Sequence, residues 1–193
     1  MPRTKEQNEA IKLEKKQLIM DVALRLFAEN GYANTSIDKI AKSIGIAKGL
    51  LYTYFKNKED LLYQILLSGI DKMSIGVFSE VMTAKEFVEG IEKVFDNVMQ
   101  YKDFFKLYTA LSVQPGIVQN LAPIADSYRS LNVVIKYFHR RFGENAMKEL
   151  LLFSTLSKGF SVLAMFGDGQ RMIQYDLLEE TILDFFRKRY GTQ

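Results

Sequence analysis

The stretch from Thr35 to Leu62, TSIDKIAKSIGIAKGLLYTYFKNKEDLL, constrains the fold of this chain more than any other. Apolar residues recur at helical spacing near its start, and Thr35 is expected to be the N-cap, with Asp38 three residues later. Gly45 follows this pattern, and glycine tolerates the positive φ that ends a helix and redirects the chain. The pattern predicts a short helix, a tight turn and a second helix in a new direction.

The second helix is predicted from Ala47 to Tyr54, and its two faces differ in character. The inner face is expected to contain, at least in part, Leu50, Leu51, Tyr54 and Phe55. The outer face is expected to contain Lys48, Gly49, Tyr52 and Thr53. Lysine supplies charge, glycine permits close approach, and a tyrosine hydroxyl can donate to a phosphate oxygen. The outer face therefore suits a backbone made of phosphates.

A third helix is predicted to begin just after Asn57, whose side chain can cap it. Lys58 would then add its charge to the positive end of that helix, so that both point at one anion. Two short helices at a steep angle followed by a third have helix-turn-helix geometry, in which the second helix enters the major groove of DNA.

The run ALRLFAENGY, from Ala23 to Tyr32, precedes this region. Together, the run and the region resemble the tetracycline-repressor-like (TetR) family of bacterial transcription regulators over about the first third of the chain. The matching positions after the run are Thr35, Ile40, Ala41, Gly45, Lys48, Gly49, Tyr52, Tyr54, Phe55, Lys58, Leu61 and Leu62. Ala47 departs from the family's frequent Ser or Thr, and the missing hydroxyl removes a helix cap worth about 1 kcal/mol.

The resemblance implies an all-α homodimer of about nine helices per chain. Residues 1–60 would form the helix-turn-helix DNA-binding domain, and residues 61–193 a helical ligand-binding and dimerisation domain. Such a protein binds palindromic double-stranded operator DNA, acts most often as a repressor, and leaves the operator when a small molecule binds. The DNA-binding residues expected are Thr35, Ser36, Lys48, Gly49, Leu50, Tyr52, Thr53, Tyr54 and Lys58. Lys48 is expected at a guanine edge, and Tyr52, Lys58 and the helix start at Thr35 are expected at phosphates.

Charge and composition agree with this interpretation. Residues 1–60 carry 11 basic and 8 acidic side chains, and residues 61–193 carry 15 of each. The whole net charge of +3 therefore lies in residues 1–60. The chain has no cysteine and no apolar segment of signal or membrane-spanning length. We therefore expect a cytoplasmic protein without disulfides, membrane contact, cofactor or metal site.

Helical patterns also fill the rest of the chain. Residues 1–11 lack a pattern and are expected to fray, and a helix is predicted over residues 13–30. The helix after Lys58 continues past Met73 without a proline. Thr83 and Glu86 form a capping-box signal for a helix that ends near Tyr101. A short helix and an irregular link follow, and further helices are predicted over 124–142, over 145–166 and from about residue 176.

Aromatic residues are concentrated between residues 101 and 142, and the resemblance implies that this part of the chain surrounds an effector pocket. A small apolar or aromatic effector would suit such walls. The candidate ligand-binding residues are Phe104, Phe105, Tyr108, Tyr128 and Phe160. Aromatic residues at helical spacing also form ordinary cores, so both interpretations stay open.

The predicted helix over 145–166 is apolar around most of its circumference, which indicates contact on more than one side. Small serines would let another helix approach closely, and an apolar stripe marks the last helix. In the resembled family the last two helices pair with their two-fold mates. The candidate interface residues are Ser157, Ser161, Leu178, Ile182, Phe185 and Phe186.

Two rival functions remain at this point. An enzyme would have to build a histidine-dependent site on His139, the single histidine, because the chain has no cysteine for a Cys/His pair. Catalytic carboxylate pairs are not excluded by the sequence. The other rival is a helix-turn-helix sensor or activator without repressor activity. Truncation or acidic replacement at Lys48, Tyr52 and Lys58 would indicate that operator binding has been lost, and the sequence shows neither.

Overall fold

The computed structural model describes residues 4–74, 78–79, 81–112, 114, 129–166 and 175–191. In these ranges the chain forms helices and no strand, so the predicted all-α class is confirmed. The helices are α1 (Lys5–Asn30), α2 (Ile37–Ile44), α3 (Lys48–Tyr52), α4 (Lys58–Ser74), α5 (Ala84–Gln100), α6 (Lys102–Ser112), α7 (Arg129–Phe142), α8 (Ala146–Phe166) and α9 (Tyr175–Tyr190). A 3-10 turn, Gly143–Asn145, joins α7 to α8.

The contacts divide the chain into two compact units, residues 1–69 and residues 70–193. Several predicted helices lie close to the observed ones. The capping box of Thr83 and Glu86 begins α5 as expected, since each residue hydrogen-bonds the backbone N–H of the other. Pro115, Pro123 and the start predicted for the helix over 124–142 lie outside the described residues. No helix in the described ranges is both long and apolar enough to cross a membrane.

The start of α1 corrects the sequence analysis. Residues 5–11 are helical, although fraying was expected there. The Thr4 hydroxyl accepts from the N–H of Gln7 at 3.2 Å, and the Gln7 side chain accepts from the N–H of Thr4 at 3.0 Å. This reciprocal capping box stabilises a first turn that has no apolar pattern of its own.

The core of the first unit contains residues of α1, α2 and α3. Ile19, Ala23 and Phe27 of α1, Ile40 of α2 and Leu51 of α3 are at most 1% exposed. Burying a large aliphatic or aromatic side chain contributes about 1.5–3 kcal/mol, so these contacts fix α2 and α3 on α1. A five-residue helix such as α3 needs this support, because isolated helices of that length do not form.

The second unit is built around an aromatic cluster, defined here as Phe87, Tyr137, Phe138, Phe153, Phe186 and Tyr190. Phe87 is completely buried, and its ring stacks on Tyr137 with the centroids 4.3 Å apart. Phe95 and Phe160 stack at 4.1 Å with an interplanar angle of 3° beside the cluster. Residues from α5, α7, α8 and α9 meet here, so the cluster determines how these helices pack.

Ion pairs connect the end of α9 to the rest of the second unit. Arg187 donates to Glu92 of α5, and both Nε and Nη2 of Arg189 donate to Glu149 of α8. The three cations in the last turn of α9 also complement the helix dipole, as the sequence predicted for this basic end. His139, in the last turn of α7, is exposed, which agrees with a surface residue.

The pair formed by Glu149 and Arg189 is expected to contribute a pH-dependent part of the stability. The Arg189 hydrogen bonds lower the pKa of Glu149 from its ordinary 4.5. Because the folded pKa lies below the unfolded one, this contribution is present above about pH 4.5 and is lost as the pH falls through the folded pKa. Thermal melts from pH 7 to pH 3 should show a difference between wild type and Glu149→Gln that shrinks as the pH falls.

Glu144→Gln provides the control for this experiment, since Glu144 is an exposed carboxylate shortly before α8. This variant should follow the wild-type melting curve across the pH series. An equal difference between Glu149→Gln and wild type at pH 7 and at pH 3 would contradict the account, because it would mean that the carboxylate charge does not matter.

Candidate nucleic-acid interface

The start of α2 differs by one residue from the prediction. Ser36, not Thr35, is the N-cap, and its hydroxyl accepts from the N–H of Lys39 at 3.2 Å. Thr35 is completely buried, and its hydroxyl lies 2.9 Å from the carbonyl of Gly31 and 3.2 Å from that of Leu26. The N-cap predicted at Thr35 is therefore wrong, and this hydroxyl faces the end of α1 instead of the surface.

The turn between α2 and α3 forms as the sequence predicted. Gly45 has φ +76°, in the left-handed region that favours glycine, and its N–H donates to carbonyls at the end of α2. Ala47 is the N-cap of α3 and makes no side-chain cap, as its missing hydroxyl implied. The helix ends at Tyr52, two residues earlier than predicted, because the N–H of Thr53 bonds the carbonyl of Leu50 three residues back.

Most of the candidate DNA-binding residues reach a common exposed surface of the first unit. Leu51 and Phe55 point inward as predicted, whereas Leu50 is 36% exposed although it was assigned to the inner face. Tyr54 and Lys58 are half-buried. The exposed candidates are Ser36, Lys48, Gly49, Leu50, Tyr52 and Thr53. We call these six residues the recognition surface.

Lys58 is used inside the protein and not at the recognition surface. Its ammonium donates to the carbonyl of Tyr32 at 2.8 Å and to that of Thr35 at 3.1 Å, and it lies 4.1 Å from the centre of the Tyr32 ring. The Tyr32 hydroxyl donates to Glu59 at 3.2 Å, and burial raises the pKa of that hydroxyl. These contacts tie the start of α4 to the α1–α2 connection and give Lys58 a structural role. The phosphate contact expected from Lys58 stays a prediction.

Replacement of Lys58 by methionine is expected to destabilise the first unit by about 1–3 kcal/mol, since two carbonyl bonds and a cation–π contact are lost. Urea denaturation followed by circular dichroism measures the change. Lys56→Met is the matched control, because Lys56 is exposed two residues earlier. An unchanged urea midpoint together with a loss of DNA affinity would contradict the structural role and would mean that Lys58 contacts a phosphate.

Lys48, at the first position of α3, has a partner that the sequence did not indicate. Its ammonium lies 3.0 Å from a carboxylate oxygen of Asp38 on α2. Both side chains remain about half exposed, at 50% and 54%. The hydrogen bond from Lys48 to Asp38 raises the pKa of the lysine, so Lys48 stays charged at neutral pH. Asp38 was considered only as a favourable charge at the start of a helix.

The first unit matches a known family. The family described as bacterial regulatory proteins, tetR family, matches residues 19–65, which contain α2, α3 and the recognition surface. This part of the chain carries the helix-turn-helix of the TetR family. The resemblance inferred from the sequence is confirmed, and its helix-turn-helix is the one that the family model covers.

Curated relatives are also regulators by name. The chain is 34% identical over 102 residues to the uncharacterized HTH-type transcriptional regulator YuxN of Bacillus subtilis, covering 49% of this chain and 34% of that protein. It is 45% identical over 64 residues to a fatty acid metabolism regulator protein of the same organism, covering 33% of this chain and 30% of that protein. The chain thus spans about a third of the length of these curated relatives.

Solved structures agree on the fold. A TerR/AcrR-family regulator from Aquifex aeolicus has a TM-score of 0.70 at 22% identity, covering 90% of this chain and 98% of that one. The fatty acid degradation regulator FadR from Bacillus halodurans has a TM-score of 0.71 at 18% identity, covering 93% of this chain and 97% of that one. The relatives and solved structures named above are regulators by name. That this chain is not an enzyme stays a prediction.

The candidate effector residues occupy different environments in the second unit. Phe104 is buried, and Phe105 and Tyr108 are half-buried against it or beside it. Phe160 is 1% exposed and stacked on Phe95, which is the packing of an ordinary core residue. Tyr128 lies outside the described residues. The sequence analysis did not name Tyr137, whose buried hydroxyl has no hydrogen-bond partner in the described part of the chain.

The candidate interface residues divide in the same way. Phe186 is completely buried in the aromatic cluster, so its assignment to an interface is wrong. Leu178 and Ile182 are half-buried against the core, whereas Phe185 is 37% exposed. Ser161 donates to the carbonyl of Ser157 at 3.0 Å. The buried hydroxyl of Ser157 has no hydrogen-bond partner within the ranges that the structure describes.

Proposed function

We propose that this protein is a dimeric transcriptional repressor that binds a palindromic operator through the recognition surface and is released by a small effector. The observation that carries the DNA-binding part is Gly49. A Cβ added there would meet no atom within 4 Å, so the fold does not need glycine at this position. Glycine inside a helix costs about 1 kcal/mol relative to alanine, and close approach of a partner backbone explains why it is tolerated.

The recognition surface supplies the chemistry that duplex DNA requires. The Tyr52 side chain is 47% exposed and its hydroxyl can donate to a phosphate oxygen, as can the hydroxyl of Ser36. The Thr53 hydroxyl donates to the carbonyl of Leu50 at 2.7 Å and would have to turn away from it to reach a phosphate. Lys48 can donate to guanine O6 and N7 in the major groove. In this proposal phosphate contacts set the register, and Lys48 together with Leu50 meets base edges.

The dimer is proposed to form through α8 and α9. Several large apolar side chains on these helices are exposed in the single chain. They are Met147, Leu151, Val162, Leu163, Leu177 and Phe185, with Leu151 the most exposed at 61%. A second copy would cover them and could offer a hydrogen-bond partner to the Ser157 hydroxyl. Two recognition helices related by two-fold symmetry would then read half-sites about 34–36 Å apart.

The effector is proposed to be a small apolar or aromatic molecule bound in the second unit. Tyr137 supports a binding site there, because a buried hydroxyl without a partner costs about 1–3 kcal/mol and a ligand acceptor would remove that cost. Ligand binding shifts the protein between states with different operator affinity, and a hundredfold loss needs a difference of only about 2.7 kcal/mol. The Bacillus subtilis relative named for fatty acid metabolism matches over 64 residues only, so its name does not identify this effector.

Selection of DNA from a random duplex library tests the proposal. The full chain should enrich a palindromic sequence, run as a dimer in light scattering, and repress a reporter placed behind that sequence. Failure to enrich any sequence at low salt would reject operator binding. If the protein enriches a sequence but activates the reporter, the DNA-binding part of the proposal stands and the protein is an activator instead of a repressor.

A further inference from the structure

We propose that Asp38 is a specificity-determining residue of the recognition surface, acting with Lys48 as one unit that reads a single G·C base pair. This proposal rests on the proposed DNA-binding function. Asp38 is the only carboxylate between residues 36 and 56, a segment that also contains Lys39, Lys42, Lys48 and Lys56. A carboxylate in the first turn of α2 favours that helix end but weakens the attraction to phosphates, and a contact with a base would offset that loss.

Stability does not explain the contact between Asp38 and Lys48. Both side chains are about half exposed, and exposed ion pairs contribute little to stability. The contact instead fixes where the lysine ammonium points. It joins α2 to α3 at 3.0 Å, so the ammonium and the carboxylate are held side by side next to Gly49, where close approach is possible.

The spacing of the two groups matches the major-groove edge of a G·C pair. Guanine presents O6 and N7 as acceptors and cytosine presents the N4 amino group as a donor. Guanine O6 and cytosine N4 are hydrogen-bonded to each other, so they lie about 2.9 Å apart. Lys48 Nζ and Asp38 Oδ2 are 3.0 Å apart. Lys48 can therefore donate to guanine while the Asp38 carboxylate accepts from the cytosine paired with that guanine.

Other base pairs fit this unit less well. In A·T the adenine amino donor would face the ammonium, and the thymine O4 acceptor would face the carboxylate. In T·A the thymine O4 acceptor and the adenine N6 donor still suit the two groups, but the thymine methyl replaces the N7 acceptor, so Lys48 loses one of its two contacts. A lysine alone would discriminate less, because it can turn toward any nearby acceptor or phosphate. The Asp38 carboxylate adds the requirement that the base paired with the one Lys48 contacts present a hydrogen-bond donor.

The experiment compares base preference in matched variants. Full-length wild type, Asp38→Ala, Asp38→Asn and Lys48→Ala are each used to select from a random duplex library. Affinities are then measured by fluorescence anisotropy on the enriched duplex and on duplexes with one substituted base pair. Wild type should prefer G·C at one position of each half-site by about ten- to a hundredfold. Asp38→Ala should reduce that preference to about threefold at that position only, and Asp38→Asn should retain part of it through its amide oxygen.

The salt dependence gives a second readout. Lys48 is freed from its carboxylate in Asp38→Ala and can contact a phosphate, so the slope of log affinity against log salt should steepen by about one. Asp21→Ala, an exposed carboxylate on α1, is the charge-matched control and should leave the selected sequence unchanged. If Asp38→Ala selects the wild-type sequence with all affinities changed by one factor, the specificity role is rejected. If the wild type selects no sequence, the proposed function itself fails.

Discussion

The Gly49→Glu variant is expected to fold like the wild type and to bind duplex DNA about a hundredfold more weakly, a loss of about 2.7 kcal/mol. The glutamate side chain would extend from α3 into open space in the free protein, because nothing lies within 4 Å of an added Cβ. It is also a better helix former than glycine and a favourable charge in the first turn. On DNA it would face phosphates, where a like charge 4 Å away costs about 1 kcal/mol in water and about 4 near a protein surface.

Two measurements separate folding from binding in this variant. The melting temperature should equal or exceed that of the wild type, while fluorescence anisotropy should report the loss of DNA affinity. Gly49→Gln keeps the added bulk and removes the charge, so it should lose part of the affinity only. Unchanged DNA binding by Gly49→Glu would mean that this face of α3 does not approach DNA.

The Phe87→Ala variant should lose about 3–5 kcal/mol of unfolding free energy. The Phe87 ring is completely buried. The rings within 6 Å of it are Phe78, Tyr137, Phe138, Phe153 and Tyr190. Alanine would leave a cavity among side chains that belong to several helices, which cannot all relax into it. Because whole-protein stabilities are about 5–15 kcal/mol, this one change removes a large fraction.

Circular dichroism in urea measures this loss, since the chain has no tryptophan for fluorescence. Phe87→Leu keeps most of the volume and should cost less than about 1.5 kcal/mol. A loss for Phe87→Ala no greater than that for Phe87→Leu would show that the aromatic cluster does not stabilise the second unit.

Local features of both units could be predicted from the sequence because their causes are local. Gly45 ends α2 with a positive φ, and Thr83 with Glu86 begins α5, as their sequence signals indicate. Thr35 and Ser36 are neighbouring hydroxyl residues, and only burial decides between them. The carbonyls that Thr35 contacts belong to Leu26 of α1 and to Gly31, which caps that helix. The choice therefore depends on packing against α1, which the local sequence pattern does not show.

The carbonyl contacts of Lys58 and the burial of Phe186 were missed for a similar reason. Lys58 looked like a phosphate contact because it opens a helix, yet its partners are carbonyls 23 and 26 residues earlier in the chain. Phe185 and Phe186 are adjacent, and the last helix has apolar residues on more than one side. Which of the two enters the core depends on the aromatic cluster, and Phe186 does. The pairing of Asp38 with Lys48 likewise depends on the angle between α2 and α3.

Protection of guanine N7 from dimethyl sulfate tests most directly whether α3 reads the major groove. The full chain bound to its selected duplex should protect guanines at two places about 10–10.5 base pairs apart, because each recognition helix covers one major-groove segment. The Gly49→Glu variant should give no protection at the same protein concentration. Bound wild-type protein that leaves every guanine N7 as reactive as in free DNA would contradict the account.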